Sequence, residues 1–100
     1  MSTMAPRLPV KLFLDGDEPQ GRLPALAALW HAHRGAWERA HALVQDAAGS
    51  DAAWVHGHLH RLEGDIPNAS YWYRRAGRAM PGCDPASERT AMIETLLGER

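Results

Sequence analysis

HAHRGAWERAHALVQDA, residues 31–47, and HRLEGDIPNASYWYRRA, residues 60–76, are the two stretches whose comparison decides the fold. Sliding one onto the other by 29 positions sets His31 on His60, Gly35 on Gly64, Ala40 on Ala69 and Ala47 on Ala76. The apolar pattern moves with them. Leu23, Leu26 and Trp30 fall on Ala52, Val55 and Leu59, while Trp37 and Val44 fall on Ile66 and Tyr73. Self-similarity at a period of ~20–50 residues marks stacked supersecondary units, each too small to bury its apolar face alone.

Each copy reads as two helices. Leu23, Leu26, Trp30 and His33 follow the 3, 4, 3 spacing of one helical face, and so do Trp37, Ala40, Val44 and Ala47 after the break at Arg34-Gly35. The second copy runs Ala52, Val55, Leu59, Leu62, breaks at Gly64, and resumes as Ile66, Ala69, Tyr73, Ala76, Met80. Glycine suits such breaks because a helix C-terminus often needs a left-handed residue. Ser50 or Asp51 is expected to cap the third helix and Asp65 the fourth, with Pro67 tolerated in the first turn. Pro81-Gly82 stops the fourth helix. Asp84-Pro85 then starts a fifth that carries Ala86, Met92, Ile93, Leu96 and Leu97 and covers the end of the stack. The expectation is an all-α domain over residues 23–100: two tandem antiparallel helix–turn–helix units plus a C-terminal capping helix. The helices fall at about 23–34, 37–48, 51–63, 66–79 and 85–97. Residues 1–22 read as an N-terminal arm, with Val10 to Leu14 a short strand or extended segment and Asp15 to Pro19 a turn.

Gly35-Ala36-Trp37-Glu38-Arg39-Ala40 resembles the Gly-Asp-Tyr-x-x-Ala turn of tetratricopeptide repeats. Gly64-Asp65-Ile66-Pro67-Asn68-Ala69, followed by Tyr73, Ala76 and Pro81, resembles it more closely. The run Ala69 to Gly77, with Trp72 and Tyr73, is also similar to the Sel1-like repeat. The resemblance covers roughly Leu23 to Pro81. Its period of 29 is shorter than the usual ~34, and the first helices lack the family's Trp-x-x-Leu-Gly-x-x-Tyr run. The resemblance implies a scaffold that binds a protein or peptide partner.

Composition excludes several function classes. The chain has 100 residues, 45% hydrophobic and 23% charged, with a formal net charge of −1, so it gives no general pull toward nucleic acid or anionic membrane. Ten of the eleven basic residues are Arg, a bias expected of a GC-rich bacterial genome. Cys83 is the single cysteine, so no internal disulfide forms. No apolar run approaches the ~20 residues of a membrane span, and the N-terminal segment lacks the apolar region of a secretory signal. A cytoplasmic protein is expected.

Two groups of side chains are candidates for function. Trp54, Tyr71 and Trp72 lie off the inner faces, and Trp54 shares a flank with His58 and Arg61. Together these five make an aromatic and arginine patch suited to a protein partner, a second copy of the chain included. The other group is histidine. His56 and His60 are four apart on one helical face, the geometry in which two imidazoles hold one ion, and His31 occupies the matching place in the first unit. His31, His56 and His60 are thus the candidate metal or small-ligand set. Arg74, Arg75 and Arg78 form a basic edge too short to imply RNA. There is no glycine-rich phosphate loop, and Cys83 has no local base. No enzyme and no cofactor are indicated, and the reading is an interaction or scaffolding module, with the histidine ligand-binder as the alternative.

Overall fold

The structure is a computed structural model that describes residues 8–20 and 23–98. Six α-helices follow one another: α1 Leu8–Asp15, α2 Pro24–His33, α3 Trp37–Val44, α4 Ser50–Leu62, α5 Ile66–Ala76 and α6 Pro85–Gly98. No strand occurs among the described residues, so the protein is all-α.

The turns at Gly35 and Gly64 share one backbone pattern. At the first turn the N–H of Ala36 donates to the carbonyl of His31 at 2.9 Å, and that of Gly35 to Ala32 at 3.0 Å. Twenty-nine residues on, Asp65 donates to His60 at 2.9 Å and Gly64 to Arg61 at 3.0 Å. These paired bonds close a helix through a left-handed residue, and the glycines supply it with φ of 78° and 85°. The same device ends α5 at Gly77, where Arg78 N–H reaches Tyr73 O at 3.0 Å, so that helix stops before the expected 79. Asp65 caps α5 by accepting from Asn68 N–H at 3.3 Å. Asp84 accepts from the Ser87 N–H at 3.1 Å and its hydroxyl at 2.8 Å, starting α6 as the sequence implies. Ser50 and Asp51 do not cap α4. Gly49 holds that position with no side-chain bond.

Packing follows sequence order. α2 lies on α3, α4 on α5 and α3 on α4, while α6 crosses back over α2 and α4. The core contains Leu26, Leu29, Val44, Val55, Leu59, Tyr73, Met92, Ile93 and Leu96, with Ala28, Ala40, Ala52 and Ala69 at the helix contacts. A radius of gyration of 12.8 Å matches the ~13 Å expected of one 100-residue globule, so the units fold onto one another rather than forming an extended stack.

Three expectations are corrected. Val10 to Leu14 is neither strand nor extended arm but part of α1. Val10 is 1% exposed, and Phe13 and Leu14 pack against the core beside it at i+3 and i+4. Lys11 and Asp15 pair at 3.0 Å one turn apart. Arg34 Nη2 donates to Leu14 O at 2.8 Å and Trp30 Nε1 to Gly16 O at 3.3 Å, tying the end of α1 to α2. The apolar stripe also rotates at its ends: Leu23 is 53%, Ile66 46% and Leu62 37% exposed, and His33 is exposed where Ala32 is buried. Finally, Trp37 and Ile66 share a backbone position but not an environment. Trp37 packs against the core and bonds to Leu59 of α4, whereas Ile66 is 46% exposed.

Candidate metal centre

The α3–α4 contact brings three imidazoles together. His41 comes from the second turn of α3, and His56 and His60 from successive turns of α4. His41 Nε2 and His56 Nε2 lie 3.0 Å apart. Ring centroids are 4.7 Å apart for His41–His56, 5.4 Å for His41–His60 and 5.0 Å for His56–His60. One ring nitrogen from each lies within 4.8 Å of the other two. His56 and His60 are buried and His41 is half-buried.

The surroundings orient these rings. Trp37 stacks on His41 at 4.8 Å and 9°, and its Nε1–H donates to Leu59 O at 2.6 Å, fixing the indole against α4. Trp72 of α5 stacks on His56 at 3.9 Å and 13°. His60 Nδ1–H donates to the Glu63 carboxylate at 2.7 Å, which leaves Nε2 as the basic nitrogen of that ring. A carboxylate behind an imidazole is the usual support of a metal-bound histidine, because it fixes the tautomer and raises ligand basicity. Asp65 also brings an oxygen near His60 and Glu63, but it is engaged with Asn68.

Electrostatics keep His41 and His56 neutral. Burial pushes the His56 pKa down to about 4, and neighbouring His41 and His60 act in the same direction. His41 is lowered by burial and by His60, with Glu63 opposing. Both imidazoles therefore present lone pairs at neutral pH, the form a metal requires. His56 Nδ1 is buried and has no hydrogen-bond partner among the described residues. Such an orphan costs about 1–3 kcal/mol, a penalty that a leucine at this position would avoid.

His31 is not part of this group. Its Nε2 faces Glu18 Oε2 at 2.9 Å and its ring meets the edge of Trp30. The expected trio is corrected to His41, His56 and His60. His31 and His60 hold equivalent places at the ends of α2 and α4, but equivalence by repeat is not proximity. It is α3 that carries a histidine onto this face of α4, and the sequence signal for His41 was its i+4 spacing from Trp37.

The proposed partner patch also divides. Trp54 is 7% exposed with the Arg78 guanidinium 3.6 Å over its ring, and His58 is wholly buried. Arg61 points into α6. These three are not a free surface: Trp54 belongs to the core under Arg78, and His58 and Arg61 are bound to Glu88 of α6. Tyr71 is exposed with Arg75 against it, and Trp72 is half-buried on His56.

What α6 brings is Glu88, 4% exposed. Its Oε1 accepts from His58 Nδ1 and from Arg61 Nη1, both at 2.9 Å, and its Oε2 accepts from the Tyr73 hydroxyl. Arg89 lies 3.4 Å from His58 Nε2, and Arg61 also donates to the Cys83 carbonyl. Burial pushes the Glu88 carboxyl up, yet bonds from His58, Tyr73 and Arg61 hold it below the usual carboxylate range. Burial and Glu88 together raise Tyr73. Nothing local in the sequence marks Glu88, which sits 30 residues from His58. Beside it, Trp54, Arg78, Cys83 and Met92 line a cleft of about 480 Å³.

No described helix is long and apolar enough to cross a membrane. Compared with family models, with curated proteins and with solved structures, the chain finds no match.

Proposed function

We propose that this chain is a metal-binding protein that holds a divalent transition ion on His41, His56 and His60. The observation that carries the reading is the convergence of three imidazoles across α3 and α4, with two Nε2 atoms 3.0 Å apart. Tetrahedral Zn–N bonds of ~2.0–2.1 Å place neighbouring ligand nitrogens roughly 3.3 Å apart, so the His41–His56 edge needs only a small adjustment. His60 closes on the same point by a side-chain movement, its Nδ1 steadied by Glu63. Three nitrogen donors without a thiolate favour Zn(II), Cu(II), Ni(II) or Co(II) over Mg(II) or Ca(II), which take oxygen ligands.

A competing account treats the rings as packing between Trp37 and Trp72. Zinc titration of the chelator-treated protein by calorimetry and native mass spectrometry separates the two. One zinc per chain is expected, with affinity falling at least about 10-fold in each of His41→Ala, His56→Ala and His60→Ala. A protein that takes up no zinc, or His41→Ala binding as tightly as the parent, overturns the proposal.

The repeat resemblance supports a second reading, an interaction or scaffolding module for a protein or peptide. Its support is thinner, since Trp54, His58 and Arg61 serve the fold itself. Tyr71, with Ile66 and Leu62, is the exposed apolar remainder.

A further inference from the structure

Resting on the metal-binding reading, we infer that the ion held by His41, His56 and His60 keeps one exchangeable coordination position, open to water and to small anionic oxygen or nitrogen donors. Structural zinc sites close with four protein ligands, whereas sites that work on ligands keep three and leave one position free. Here the convergent set has three members among the described residues. The carboxylate within reach, Glu63, is engaged with His60 Nδ1, and Asp65 holds the Asn68 side chain and N–H. The lone cysteine, Cys83, lies in the loop before α6, beside Arg61 rather than the cluster.

Charge argues the same way. Three neutral imidazoles leave the double positive charge of the ion intact, and Glu63 offsets half of it through His60. The remaining unit charge is best satisfied by hydroxide or a monoanion bound directly to the metal. Access follows from burial: His56 and His60 are 4% and 7% exposed, while His41 is half-buried and sets the ion toward solvent. Trp37 and Trp72 cover the faces of His41 and His56 and offer no ligand atom. They hold the rings. An ion so placed polarises a bound carbonyl or acidifies a bound water.

The test uses the full chain loaded with Co(II), whose visible d–d bands report coordination, with azide as probe. Native mass spectrometry first establishes one cobalt per chain. Azide is then expected to change the bands saturably at one azide per cobalt in the parent chain. Stoichiometric cobalt whose spectrum ignores azide overturns the inference while metal binding stands. A response that emerges only in Glu63→Gln also overturns it, because the carboxylate then fills the fourth position. A chain that takes up no cobalt removes both the inference and the reading beneath it.

Discussion

Two buried polar side chains, Glu88 and His56, show how differently single residues answer to acid. Glu88 accepts bonds from His58, Arg61 and Tyr73 inside the α4–α5–α6 junction. Replacing it with Gln keeps the volume but removes the charge that its partners were placed to meet. Glu88→Gln is expected to lower unfolding free energy by about 3–5 kcal/mol in urea titrations, the usual cost of breaking a buried pair. Its folded pKa lies below the ordinary 4.5, so its contribution is full above that value and disappears as pH falls further. His56 acts in a higher window. With a folded value of about 4 against 6.5, the unfolded chain takes the proton first, so stability is full above 6.5 and falls toward pH 4. The loss is at most roughly 3 kcal/mol. In metal-free protein, thermal melts of His56→Leu between pH 7 and 4 are expected to show a weaker acid dependence than the parent. Equal slopes would place the sensitivity elsewhere.

Among the helices, α4 packs against α2, α3, α5 and α6, and Gly57 is a point of close approach by α5. A Cβ there would meet the Tyr73 ring at 3.2 Å and the Ala69 carbonyl at 3.3 Å. Alanine favours a helix over glycine by about 1 kcal/mol, but the crowded contact includes backbone that cannot yield without moving α5. Gly57→Ala is expected to destabilise by about 1–2 kcal/mol net, read as a lowered melting temperature. A raised melting temperature would mean that α5 shifts freely. The combined change Trp54→Ala and Arg61→Ala belongs to the same scale. Because Trp54 belongs to the core and Arg61 binds Glu88 of α6, loss of cooperative unfolding is expected rather than a selective loss of partner binding. The helices themselves were legible from 3.6-residue spacing and from Gly35 and Gly64. Helix α1 was not, because five apolar-rich residues beside a turn fit a strand as well as a helix. What resolves it is burial of Val10 against α6, a contact more than 80 residues away in sequence.

At the scale of the whole molecule, the histidine cluster joins the two units: His41 belongs to the first, His56 and His60 to the second. An ion bound there ties α3 to α4, so metal binding adds to folding stability by mass action. At a free zinc concentration 100 times Kd the gain is about 2.7 kcal/mol, or a rise on the order of 10 °C in Tm for a domain of this size. Differential scanning calorimetry with and without zinc checks this, and His41→Ala is expected to abolish the rise. A rise that persists in His41→Ala would locate the ion on another set of ligands.

The sequence by itself determined helices α2 to α6 and the glycine turns at Gly35 and Gly64, because these obey rules that act within a few residues. It also placed His56 and His60 on one face, for the same reason. Which third histidine joins them, and that Glu88 is an interior residue, were decided only when the helices packed. His41 meets His56 across 15 positions and His58 meets Glu88 across 30. Such meetings depend on which helices lie against each other and how deeply each face is buried, and periodicity along one helix carries no information about its neighbour.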